Sequence, residues 1–351
     1  MTGGIGSTGH GERFTTDFDL PNDTAYAETC AAIGLFIFAN RMATLDNDAR
    51  YADVAERALY NGVISGISLD GERYFYVNPL AVDPRDCDSG GTYSHVKYRR
   101  QPWYGCACCP PNVARILASL GDYTARATDA TLYLDHFVNG TVSVDLATGA
   151  MEVEVRGEYP WDGSIAIEVS SAPDADASIA IRVPGWCDGP TLAVNGERVD
   201  ITSVRKRGYA VLTRRWQPGD RIEVDLPMPV RTIRADPRVK AAYGRVAVQR
   251  GPLVYCLEEA DNGAGLHTVA LASEPGFQVA HRDDMLGGVS VITCAGSSAG
   301  TGTSASDESP APLYRPAATA PLRAAAELTF IPYYAWANRE PGEMVVWVLP
   351  G

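Results

Sequence analysis

Hydrophobic and polar positions change their period near residue 122, and that change divides the chain. Residues 1–27 show no sustained periodicity, and their Gly-rich and Pro-Asn-Asp stretches read as two loops. From Glu28 to about Leu45, ETCAAIGLFIFANRMATL carries apolar residues at 33, 36, 37 and 38 with few polar interruptions, which predicts a deeply buried helix. From Ala49 to about Ile64, Tyr51, Val54, Ala55, Ala58, Leu59 and Val63 recur at three- and four-residue steps. This predicts an amphipathic helix with Glu56 and Arg57 off the apolar stripe, ended by Gly66 and Asp70-Gly71. Arg73 to Pro79 reads as a short aromatic strand, followed by a loop holding Cys87, Gly90 and Gly91. Asn112 to about Gly121 reads as a further helix, with Pro110 and Pro111 at its entrance, where a missing N–H costs nothing.

Past Asp122 the period falls to two. Short alternating runs centred on 131–134, 141–144, 151–155, 165–169, 181–183, 192–194, 210–212 and 221–226 are separated by Asn-Gly, Asp-Gly and Pro-Gly turns, which predicts a β-sandwich. Residues 245–250, 253–255 and 344–348 read as further strands, and about 297–312 as a flexible, low-complexity loop. The aromatic run Ile331 to Trp336 is expected to pack back on another part of the chain.

Composition narrows the function classes. The chain has 351 residues, 46% of them hydrophobic, and a formal net charge of −13. That balance argues against nucleic acid or an anionic membrane surface as partner. No apolar run approaches the roughly 20 residues of a membrane span, and no charged-then-apolar leader opens the sequence. Eight cysteines, three of them clustered, do not resemble an evenly paired disulfide framework, so a reducing, cytoplasmic setting is expected.

The chemistry gathers at Cys106-Ala107-Cys108-Cys109-Pro110-Pro111-Asn112. Neighbouring cysteines bridge each other only with strain, so two thiolates converging on a metal is the better reading. Glu28 and Cys30 offer an acidic and a sulfur ligand two positions apart. On a helix they would point about 200° apart, so they are expected on an extended segment entering the helix. With Cys108 and Cys109 they make an S₃O set suited to Zn²⁺. Pro110 should hold Cys109 extended. A structural zinc clip and a catalytic centre weigh equally on spacing, with redox or buried thiols behind them; the adjacent Cys-Cys pair tilts the balance toward catalysis. Glu12, on the loop His10-Gly11-Glu12, is the candidate acid, against the alternative of an exposed loop carboxylate. Glu56 would ordinarily be a solvated charge, and His95 and His136 surface or core histidines. Tyr74, Tyr76 and Trp103 would ordinarily be core, although sugar sites also use such rings. Cys87, Cys187, Cys256 and Cys294 read as packing residues.

GGIGSTGHGERF, LPNDTAYAETCAAIG, YADVAERALYNGVISGISLDGERYFYVNPL, GCACCPPNVAR and IPYYAWANREPGEMVVWV together resemble glycoside hydrolase family 127, the cysteine-nucleophile β-L-arabinofuranosidases. The resemblance implies a partial (α/α)6 barrel followed by antiparallel β-sandwich domains. Residues 1–122 would be the C-terminal part of the catalytic barrel, 123–230 a β-sandwich and 231–351 a second β-rich domain. It implies Zn²⁺ held by Glu28, Cys30, Cys108 and Cys109, with Cys108 as nucleophile and Glu12 as acid/base. Glu56, Tyr76 and His10 fall in matching stretches as sugar contacts, and the substrate would be a glycoside or oligosaccharide. Only three or four helices precede the strands, so the first part of the barrel is expected to be absent. The apolar surface this leaves would favour association with a second copy. The alternative is a non-catalytic, zinc-stabilised remnant that binds carbohydrate or a partner.

Overall fold

The computed structural model describes residues 1–299, 314, 316 and 323–351. Helix α1 (Thr29–Asp46) and helix α2 (Ala49–Arg57) are joined by a tight turn, with Asp48 capping α2 by accepting from the Arg50 N–H. The α2 spiral widens into a π-helical turn over Ala58–Val63 and stops at Gly66. Next come α3 (Pro84–Ser89), in the stretch expected to be loop, and α4 (Cys109–Ala118). The expected aromatic strand is an extended segment with isolated bridges, Glu28 to Val77 and Tyr74 to Gln101.

Helices α1, α2 and α4 bury one another through Ile33, Phe36, Ala55, Leu59, Val113 and Ile116. Helix α1 is less enclosed than its composition predicts, because Phe38 and Leu45 on its outer side are 63% and 79% exposed. Among the described residues, no helix is long and apolar enough to cross a membrane.

Among the described residues, the strands form three sheets. In the five-stranded sheet, Thr131–Leu134 lies parallel to Ala177–Arg182. A six-stranded antiparallel sheet, Gly140–Leu146 to Glu197–Arg198, shares one apolar core with it, including Leu132, Ile179, Val153, Ile167 and Ile222. A ten-stranded branched sheet takes the remaining strands. It also recruits Ala81–Val82 from the helical region, which pairs with Met344–Val345.

The expected partial (α/α)6 barrel followed by antiparallel sandwiches does not describe this architecture, which is mixed α and β. The helical group is closed by strands and extended chain. Buried Asn61 donates to the Pro252 carbonyl and accepts from the Val254 N–H, and Phe75 stacks on Trp336 with ring centroids 4.6 Å apart. A branched sheet and a parallel strand pair are likewise not the antiparallel sandwiches the alternation suggested. Alternation reports which face of a strand is buried and is silent about the partner strand. Ser297–Ala299 belongs to the strand Val289–Ala299, while the rest of the expected loop, 300–312, lies outside the described residues.

Candidate metal centre

One extended segment, Arg73 to Pro79, assembles the site. On one side it grips the start of α1: the Thr29 N–H donates to the Tyr76 carbonyl (2.9 Å), the Thr29 hydroxyl to the Phe75 carbonyl (2.9 Å), and Asn78 Nδ2 to Thr29 Oγ1 (2.9 Å). Gly66 lies so close that a Cβ there would sit 2.3 Å from Thr29 Cγ2. On the other side, the Tyr74 hydroxyl donates to the Cys106 carbonyl (3.3 Å) and accepts from the Tyr104 N–H (3.1 Å), which fixes the thiol loop.

The two ligand pairs meet at the starts of two helices. Glu28 is the extended cap of α1 (φ −63°, ψ 139°), and Cys30 lies inside the first turn. The expectation that both sit on extended chain therefore fails for Cys30. The change of direction at the cap brings the two side chains together, which neither a pure helix nor a pure strand was needed to do. Cys108 precedes α4, and Cys109 is its first residue, so the bias of a pre-proline residue toward extended backbone is overridden. Pro110 and Pro111 occupy the first turn, where their missing N–H groups leave no intrahelical bond unmade.

The donor atoms converge. Cys30 Sγ is 3.8 Å from Cys109 Sγ, Cys108 Sγ is 3.7 Å from Cys109 Sγ, and Cys108 Sγ is 3.4 Å from Glu28 Oε1. All four donors lie within 4.8 Å of one another. Two sulfurs each ~2.3 Å from a tetrahedral ion stand roughly 3.8 Å apart, so the spacing fits a tetrahedral metal. The charge balance fits as well. In the protein alone the three thiols compete for negative charge. Cys30 is held down to about 6, chiefly by its hydrogen bond with Cys109. Burial pushes Cys108 up to about 12, and Cys109 is driven up first by that same bond to Cys30. A bound cation would let all three ionise.

Of the other residues singled out from sequence, Tyr76 borders the cluster, with its hydroxyl facing the Cys108 thiol and the Tyr26 hydroxyl. Glu12 is exposed and accepts a hydrogen bond from the Tyr26 hydroxyl at 2.8 Å. His10 lines a cavity of about 660 Å³ with Thr15, Asp19, Ser94 and His95, and the thiols do not line it. Cys106 is exposed. Trp103 is 70% exposed, whereas Tyr74 is 2% exposed.

Glu56 is neither a solvated charge nor free to hold a sugar. It is 1% exposed, and both its oxygens are engaged. Arg182 and Tyr159 donate to Oε1, and Trp186 Nε1 donates to Oε2 at 3.0 Å. Tyr26 is the residue that sequence reasoning missed. Its signal was its place in Tyr-Ala-Glu-Thr-Cys, two positions before Glu28.

Residues 1–122 match the family model for the GH127 β-L-arabinofuranosidase catalytic domain, 131–228 that for the GH127 middle domain, and 230–349 that for the glycoside hydrolase family 127 C-terminal domain. The chain belongs to glycoside hydrolase family 127. Within the family, a non-reducing end β-L-arabinofuranosidase of Bifidobacterium longum subsp. longum is 42% identical over 357 residues, a match spanning 99% of this chain and 52% of that protein. The crystal structure of a GH127 β-L-arabinofuranosidase from Geobacillus stearothermophilus T6 is 46% identical with a TM-score of 0.94, over 100% of this chain and 54% of that one. A second GH127 β-arabinofuranosidase structure is 36% identical with a TM-score of 0.86, over 100% of this chain and 53% of the other. The chain thus spans about half the length of these family relatives.

Proposed function

We propose that this chain carries the reacting groups of a zinc-dependent retaining glycosidase that releases β-L-arabinofuranose from non-reducing ends of glycosides or oligosaccharides. The observation that carries this reading is the convergence of Glu28, Cys30, Cys108 and Cys109 within 4.8 Å, with Cys108 part-exposed at the edge of the cluster. Three sulfurs and one carboxylate in tetrahedral spacing favour Zn²⁺ over the oxygen-seeking Mg²⁺ or Ca²⁺. Bound there, zinc supplies positive charge that keeps the thiols deprotonated.

The protein groups divide the reaction into two displacements. The Cys108 sulfur attacks the anomeric carbon as its bond to the leaving oxygen breaks, and Glu12 gives that oxygen its proton. Glu12, now a carboxylate, takes a proton from water. The water oxygen then attacks the same carbon and displaces the Cys108 sulfur, which retains configuration. Tyr76 lies beside the sulfur and is placed to orient it.

The test is hydrolysis of 4-nitrophenyl β-L-arabinofuranoside by the wild type and by Cys108→Ser, with zinc measured in both. Expected are about one zinc per wild-type chain, zinc partly retained in Cys108→Ser because three donors remain, and turnover lower by on the order of 10³-fold or more. Full turnover in Cys108→Ser, or a wild type that binds no zinc, overturns the reading.

A further inference from the structure

We infer that Tyr26 is the positioning residue that fixes Glu12 against the wall carrying Cys108; this rests on the reading of Glu12 as the acid/base. Residues 10–20 are all exposed, and Glu12 stands on them at φ 49°, in the left-handed region. Backbone pairing ties the base of this turn, with the Thr8 N–H donating to the Arg13 carbonyl (3.3 Å) and the Arg13 N–H to the Thr8 carbonyl (3.4 Å). That pairing leaves the Glu12 side chain free to sample its rotamers. Among the described residues, the side-chain hydrogen bond that reaches Glu12 comes from the Tyr26 hydroxyl, 2.8 Å from Oε1.

Tyr26 is itself immobilised. It is 9% exposed, and its ring packs on Tyr76 and His95 at centroid distances of 5.9 and 5.6 Å. Its carbonyl accepts from the Glu28 N–H at 2.7 Å, so its backbone is continuous with the cap of α1. Gly6 closes on it from outside, where a Cβ would sit 2.7 Å from the Tyr26 carbonyl oxygen. Tyr26 therefore carries the rigidity of the thiol site to a carboxylate on an exposed loop. Because the hydroxyl occupies Oε1, the proton that Glu12 delivers is carried on Oε2.

A positioning role has a signature that a packing role lacks. Cleaving a glycoside with a poor leaving group needs the proton from Glu12, whereas a dinitrophenolate leaves without one. The experiment compares kcat/KM of wild type, Tyr26→Phe and Glu12→Gln on methyl and 2,4-dinitrophenyl β-L-arabinofuranosides. Phenylalanine keeps the ring packing and deletes only the hydroxyl. Expected for Tyr26→Phe is a loss of about tenfold or more on the methyl glycoside and less than about threefold on the dinitrophenyl glycoside, the same direction of selectivity as Glu12→Gln. Equal losses on both substrates, or no loss on the methyl glycoside, overturn the inference and leave the glycosidase reading standing. A wild type that cleaves neither substrate removes that reading and this inference with it.

Discussion

His136 shows what burial does to a single titratable group. Its ring packs on Phe36, its Nε2 lies 3.1 Å from Asn40 Oδ1, and its Nδ1 has no partner among the described residues. Burial, with nearby Arg182 adding to it, pulls the imidazole down to about 3. The unfolded chain takes up this proton near pH 6.5 and the folded protein only near 3. The stability contributed by the neutral ring is therefore complete above pH 6.5 and is lost as the pH falls toward 3, at up to about 1.4 kcal/mol per pH unit. Denaturant unfolding of wild type and His136→Gln at pH 7, 6 and 5 should give a shallower pH slope in the variant, by about half a proton between pH 7 and 6 and close to one between pH 6 and 5. Parallel slopes would show that the ring does not titrate in this way. Sequence placed His136 among core or surface histidines; its neutrality depends on an enclosure built by residues about 100 positions earlier.

Glu56 makes the corresponding point for an element. Its position off the apolar stripe of α2 suggested solvent, yet that face of the helix meets the five-stranded sheet. Arg182, which is 0% exposed, holds Glu56 and also donates to Asp53 Oδ1 at 2.8 Å and to the Asp135 carbonyl at 2.5 Å. Burial raises the Asp53 carboxyl against the pull of Arg182. Removing Glu56 leaves the buried Arg182 with Asp53 as its remaining carboxylate partner among the described residues, so Glu56→Ala should destabilise the protein by about 3 kcal/mol in chemical denaturation. Combining it with Arg182→Met should cost less than the sum of the two single changes. Additive losses would mean that the pair is not coupled. Helical periodicity could not reveal this junction, because its partner lies 126 residues away.

Across the whole molecule, a metal on the four donors would cross-link the start of α1 to the start of α4, elements about 80 residues apart, while the five- and six-stranded sheets rest on an apolar cluster of their own. Metal binding at such a site adds its free energy to the folding of the elements it joins. Treatment with a strong chelator should therefore speed amide hydrogen exchange in α1 and α4 by tenfold or more and leave the strands around Ile167 and Ile179 unchanged. Uniform acceleration, or none, would show that the ion does not brace the helices selectively.

The sequence by itself determined the helices around Ile33 and Leu59, the alternating strands past Asp122, and the residues offering soft metal ligands. Local periodicity and side-chain chemistry carry that information directly. The family resemblance was legible for the same reason, in contiguous motifs such as GCACCPPNVAR. The tertiary structure decided that the helices close against strands rather than further helices, that one strand pair is parallel, that Glu56 is an interior ion-pair partner, and that Tyr26 reaches Glu12. Each depends on which distant segment a face meets, and the choice of that segment is made by packing and by the pairing of buried polar groups across the fold.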